Sequence, residues 1–136
     1  MASKVLLDTG FVVALASADD PDHASCARVW NDLRAQLLSV EGVLVEAAHF
    51  LRRDRSGAAT LVGLVFGAGT ELVTMTEDRL RRATFLMEKY HDLPMDLVDA
   101  MLVVVAEEQK IRDVLTLDRR GFETYRVGRE RFRILP

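Results

Sequence analysis

Residues 4–16 read KVLLDTGFVVALA. Val5, Leu6 and Leu7 form a continuous apolar run, the pattern of a strand covered on both faces. Asp8 interrupts it, and apolar character resumes at Phe11. An ionised carboxylate is costly to desolvate unless something pairs with it. A core strand that ends on an acid and passes straight into a second core segment therefore demands a partner for Asp8. Thr9 or Gly10 starts a short helix over 11–17, so the opening unit is strand, acid, helix.

The rest of the chain repeats this alternation. ADDPDHAS is a turn in which Asp20 caps the segment that follows, with Pro21 beside it. Cys26, Val29, Trp30, Leu33 and Leu37 recur at intervals of three and four, which predicts a helix over 23–36. A brief strand is expected over 37–40 and a helix over 41–53, ended by DRSG. A further apolar helix spans 58–66, closed by GAG, and a strand spans 71–75. Thr76 caps a helix over 77–90, with Asp78 or Arg79 near the capping-box position. Pro94 breaks the chain. An almost wholly apolar helix covers 96–110, a strand 113–117, and a last short strand 131–135. Short strands without polar alternation, interleaved with helices, predict an α/β fold: a three-layer α/β/α sandwich around a short-stranded parallel sheet. Neither repeats nor a Pro-, Ser- or Gly-rich linker divide the chain, so residues 1–136 are expected to form one domain.

Composition narrows the class. With 49% apolar residues the 136-residue chain is globular rather than disordered. A formal charge of −3 does not advertise nucleic-acid binding. Lys occurs only at 4, 89 and 110, and the remaining bases are Arg, the better bidentate phosphate ligand. A GC-rich genome accounts for the same skew. Cys26 is alone, which excludes an internal disulfide and fits a reducing compartment such as the cytoplasm. The start of the chain has Lys4 and the small-residue stretch ALASA, but Asp8 inside the would-be apolar segment argues against a signal peptide. TLVGLVFGAG is too short and Gly-interrupted for the ~20 apolar residues of a membrane span.

Four carboxylates sit among apolar neighbours: Asp8, Glu46 in VLVEAAHFL, Asp99 in PMDLVDAMLVVVAEE, and Asp118 in VLTLDRRGF. Singly, each has an ordinary explanation. Asp8, Asp96 and Asp118 suit helix caps, Asp99 suits a first helical turn, and Glu46 suits an ion pair with Arg53. Together they differ. Asp8 and Asp118 follow strands whose carboxyl ends share one rim, where open α/β sheets bind ligands. Glu46 and Asp99 lie on apolar helices that must pack against that sheet. Converging carboxylates repel unless a cation neutralises them. Hard oxygen donors without His or Cys select magnesium, with manganese as a substitute. Zinc fits poorly, because His23, His49 and His91 show no ligand spacing. Carboxylate-held magnesium most often serves in-line attack of water on a phosphodiester.

With these motifs in hand, the chain resembles the PIN-domain ribonucleases, and within them the VapC-type toxins of toxin–antitoxin pairs. LLDTGFVVAL is similar to the family's opening strand, VLVEAAHFL to its second segment, DLVDAMLVVVAEE to its third and VLTLDRRGF to its fourth. The resemblance implies Asp8, Glu46, Asp99 and Asp118 as the catalytic, metal-holding acids, with Asp96 and Thr116 in support. It implies magnesium-dependent endoribonuclease activity on structured RNA, homodimerisation, and neutralisation by a cognate antitoxin whose tail covers the active-site groove. Arg119 and Arg120 are the candidates for RNA phosphate contacts. Arg52, Arg53 and Arg55 form a second basic cluster, suited to phosphate or to an acidic antitoxin segment. Gly121 departs from the family pattern after Asp118 and is expected to alter the loop without touching a ligand.

Other features carry less. GAGT at 67–70 lacks the Lys of a phosphate loop. Met75, Met87, Met95 and Met101 read as core filler. Trp30 reads as an anchor in the core or a dimer face, and His49 as a packed histidine. Two rival functions remain on the sequence alone. A housekeeping RNA-processing nuclease would lack an antitoxin gene immediately upstream. A phospho-receiver-like signalling module would need a Lys after the late strand, where this chain has Asp118 and Arg119.

Overall fold

Val5, Leu6 and Leu7 are all buried, so both faces of their strand are covered, as the uninterrupted apolar run requires. The computed structural model describes residues 3–136. Along the chain run β1 (Lys4–Leu7), α1 (Thr9–Ala16), α2 (His23–Asp32), β2 (Gln36–Ser39), α3 (Glu41–Phe50), α4 (Gly57–Gly67) and β3 (Glu71–Leu72). There follow α5 (Glu77–Lys89), α6 (Leu97–Gln109), β4 (Asp113–Leu115), α7 (Arg119–Thr124), β5 (Arg126–Val127), β6 (Glu130–Arg131) and β7 (Arg133–Leu135).

Five strands form one sheet in the order β3-β2-β1-β4-β7, with every pairing parallel. β1 lies at the centre. Its successor β2 lies on one side and the late strand β4 on the other, so the chain reverses its direction of travel across the sheet at β1. Crevices at such reversals, beyond the carboxyl ends of the strands, are where open α/β sheets place their ligands. The register Leu7↔Leu115 brings the next residues, Asp8 and Thr116, side by side. The Asp8 N–H donates to the Leu115 carbonyl at 3.0 Å.

The helices cover the sheet in two groups: α1 packs with α2, α3 and α4, and α5 packs with α6. α6 is the most buried. Ala100 and every residue from Leu102 to Ala106 are shielded from solvent, matching its nearly all-round apolar sequence. Each such Leu or Val contributes roughly 1.5–3 kcal/mol of transfer free energy. Asp96 is its N-cap, the carboxylate accepting from the Asp99 N–H at 2.8 Å. Thr76 caps α5 by accepting from the Arg79 N–H at 3.2 Å. Gly69, at φ +74°, takes the left-handed turn that ends α4, where its N–H donates to the Phe66 carbonyl.

Several expected elements are shorter than the apolar pattern suggests. The helix expected over 23–36 stops at Asp32, because Leu33 turns extended and Gln36 already pairs with Lys4. The helix over 41–53 ends at Phe50, and 51–53 form turns. The strand over 71–75 is the two-residue β3. The strand over 113–117 ends at Leu115. The last strand, expected over 131–135, is two elements: β6 pairs antiparallel with β5, and β7 joins the main sheet beside β4. Gly128, at φ +61°, makes the tight turn between β5 and β6. Among the described residues no helix is long and apolar enough to cross a membrane.

Candidate active site

The carboxyl ends of β1 and β4 build the first half of the site. Asp8 is 5% exposed, where a carboxylate needs hydrogen bonds to be tolerated. It receives one from the Thr116 hydroxyl, which donates to Asp8 Oδ2 at 2.6 Å. The same hydroxyl accepts from the Asp118 N–H at 2.9 Å. Thr116 thus ties the acid after β1 to the acid after β4 through one oxygen. Asp118 caps α7, its Oδ1 accepting from the Gly121 N–H at 3.1 Å, while the residue itself stays exposed. The Thr9 hydroxyl, next to Asp8, is buried with no hydrogen-bond partner among the described residues.

The N-terminus of α6 builds the second half. Asp99 lies in the first helical turn and is 9% exposed. The Tyr125 hydroxyl donates to its Oδ2 at 3.3 Å. Asp96 holds the helix start and stays exposed. Glu46, half-buried on α3, is near enough for its charge to act on Asp8.

These acids act on one another's charge. Burial, the largest cause, pushes the Asp8 carboxyl up to about 6. The Thr116 and Thr9 hydrogen bonds oppose the rise, and the charges of Asp118 and Glu46 add to it. Asp99 is pushed up to about 8, first by burial and then by Asp8, Asp96 and Asp118. The positive end of the α6 dipole favours an anion there, typically by 0.3 to about 1 kcal/mol. Burial and repulsion outweigh it. Tyr125 is raised well above the ordinary phenol by burial and then by the charges of Asp99 and Asp118. Neither Asp8 nor Asp99 has an ion-pair partner among the described residues.

This donor set fits a hard divalent cation: carboxylates, one orphaned buried hydroxyl and no thiolate or imidazole. The side chains do not stand as a finished cage. No group of three or more His, Cys, Asp or Glu among the described residues is spaced to hold an ion as it stands.

Of the other candidates, Arg119 is engaged: its Nη2 donates to the Pro136 carbonyl at 2.6 Å, and Glu123 lies 3.7 Å away. Arg120 is exposed and forms no ion pair among the described residues. Arg52 turns back on α3, donating to the His49 carbonyl at 2.8 Å, and Arg53 and Arg55 lie exposed in the turns after it. His49 is not the packed histidine that its apolar neighbours suggest; it is exposed, edge-on to Phe50. Trp30 is a core anchor against Phe11. Gly121 also departs from expectation. A Cβ there would stand 2.6 Å from Asp118 Oδ2, so this glycine touches the acid cluster directly. Tyr125 was not visible as a site residue in the sequence. Its only signal is its position four residues after Gly121, which on a helix stacks the two.

The PIN domain profile matches residues 5–128. Ribonuclease VapC26 of Mycobacterium tuberculosis (strain ATCC 25618 / H37Rv) is 30% identical over 136 residues, covering 97% of this chain and 100% of the relative. Among solved structures, the sarcin-ricin loop cleaving toxin VapC20 of Mycobacterium tuberculosis superposes with a TM-score of 0.78 at 20% identity, covering 85% of this chain and 90% of the other. A chain of a toxin–antitoxin complex from Klebsiella pneumoniae gives 0.68 at 16% identity, covering 88% and 91%. A parallel sheet that reverses at β1, acids gathered at that reversal, and likeness over nearly its whole length identify this chain as a member of the PIN-domain family, of the VapC ribonuclease kind.

Proposed function

We propose that this chain is a magnesium-dependent endoribonuclease acting as the toxin of a toxin–antitoxin pair, its 136 residues forming one working domain. The observation that carries this reading is the Thr116 link. One hydroxyl joins Asp8 to the Asp118 backbone across β1 and β4, and Asp99 lies within electrostatic reach of both. Two buried acids with raised pKa values and no basic partner among the described residues are the signature of a site rather than of a structural ion pair.

Asp8, Asp99 and Asp118 hold the cation, and Glu46 binds it or orients the attacking water. Magnesium, when bound, supplies Lewis acidity for water and takes up charge from the phosphate oxygens. The protein supplies the geometry. Thr116 fixes the Asp8 carboxylate and Asp96 fixes the start of α6 that carries Asp99. Asp118 is anchored through the Gly121 N–H with its second oxygen left for the site. Arg120, next to the cap of α7 and without an ion pair among the described residues, is the better phosphate contact, since Arg119 is committed to Pro136 and Glu123. The named relatives act on RNA or sit in an antitoxin complex, which supports a structured RNA substrate and a cognate antitoxin for this chain. Exposed Val45, Phe50, Val62 and Phe66 on α3 and α4, with Phe85 and Leu97, supply apolar surface for a homodimer and that antitoxin. The lone Cys26, fully buried, suits the cytoplasm.

Purified antitoxin-free protein is incubated with tRNA and ribosomal RNA fragments in magnesium, beside Asp8→Asn. Cleavage that vanishes in the variant supports the reading. Equal cleavage by both, or none of any RNA by the wild type, contradicts it. Growth arrest on induction, relieved by the gene immediately upstream, supports the toxin role.

A further inference from the structure

Gly121 and Tyr125 occupy one face of α7 and its C-cap. Helical side chains lean toward the N-terminus, so a residue lies over the one four positions before it. Tyr125 leans back over Gly121 in this way and reaches Asp99 Oδ2 with its hydroxyl, 3.3 Å away. The approach depends on the missing side chain. A Cβ on Gly121 would stand 2.6 Å from Asp118 Oδ2, closer than side-chain carbons sit, and 3.0 Å from the Tyr125 oxygen, tighter than nearly all such contacts. Alanine would therefore displace the phenol, the Asp118 carboxylate or both.

The ring is packed on both sides. Tyr125 is 1% exposed and is met edge-on by Tyr90 and Phe122, each with its centroid 5.2 Å away. Tyr90 is fixed in turn, its hydroxyl accepting from the Arg126 N–H at 3.1 Å. The phenol makes the one side-chain hydrogen bond that Asp99 accepts among the described residues. A phenylalanine would fill the same space, so packing alone does not call for the hydroxyl.

We propose that Gly121 and Tyr125 form a positioning pair: the Tyr125 hydroxyl fixes the Asp99 carboxylate for cation binding, and bare Gly121 gives Tyr125 and Asp118 room to approach. Tyr125 acts through Asp99 and is a positioning residue. Partners that orient a ligating carboxylate typically contribute about 10–100-fold in metal affinity or activity. The inference rests on the metal-site reading above.

Manganese is titrated into RNA-free protein, and free Mn2+ is followed by electron paramagnetic resonance. Wild type, Tyr125→Phe, Gly121→Ala, the double variant and Asp8→Asn are compared, with near-ultraviolet circular dichroism reporting the fold. Tyr125→Phe is expected to keep the fold and to raise the Mn2+ dissociation constant about tenfold. Gly121→Ala is expected to raise it as well, and the double variant less than additively, because both act through the same carboxylate. An unchanged dissociation constant in folded Tyr125→Phe overturns the pair even if Asp8→Asn weakens binding. Asp8→Asn binding like wild type overturns the metal-site reading itself, and the pair with it. If Gly121→Ala does not fold, Tyr125→Phe alone decides.

Discussion

The Thr116 hydroxyl does two jobs at once, donating to Asp8 and accepting from the Asp118 N–H. Valine in its place keeps the shape and removes both bonds, leaving a buried acceptor unpaired. Such a loss costs about 1–3 kcal/mol. Thr116→Val is therefore expected to lower stability by that amount in urea melts and to cut RNA cleavage. Asp8→Asn should separate the two properties. It removes a charge that burial and neighbouring acids disfavour, so stability without divalent ions is expected to hold or rise. Cleavage is expected to fall by at least about 100-fold, the upper end of what weaker supporting contacts contribute. A variant that loses stability and activity together would mark Asp8 as a structural residue tied to Thr116.

The ends of β1, β4 and α6 concentrate charge that no single element tolerates alone. Folding raises the Asp8 and Asp99 carboxyls from 3.8 to about 6 and about 8. Between the unfolded and folded values the native chain holds more protons than the unfolded one. The contribution of the pair to stability is thus fullest below the unfolded value, is lost as pH rises through the folded values, and levels off above them. Melts in chelator are expected to show Asp8→Asn/Asp99→Asn gaining on the wild type as pH rises from about 4 to 9. Added magnesium is expected to restore the wild type selectively at high pH. Parallel curves would contradict the coupling. Elements of this kind were legible where apolar residues ran without interruption: Val5-Leu6-Leu7 before Asp8, and the apolar helix that became α6. The start of α7 was legible in Asp118 as a cap, but its length and the β5–β6 hairpin were not. Six-residue and two-residue segments are too short to establish a period, and Leu117 continued the apolar pattern after the backbone had left the sheet.

Across the whole molecule, a parallel sheet and a rim of acids were readable because distant segments shared one chemical oddity, a carboxylate at an apolar seam. The strand order was not readable, since it depends on pairings such as Leu7 with Leu115 that leave no local trace. Nor was Tyr125, whose contact with Asp99 spans 26 positions. Apolar exposure on α3, α4, α5 and α6 leads to an expected dimer: light scattering should return twice the chain mass, and a monomer at all concentrations would contradict it. The central claim is that Asp8, Asp99 and Asp118 hold a divalent cation, with Glu46 binding it or orienting the water. Anomalous diffraction from crystals soaked in manganese tests it most directly. A peak within ligating distance of Asp8, Asp99 and Asp118 is the expected result. A peak elsewhere, or none at manganese concentrations that support cleavage, would contradict it.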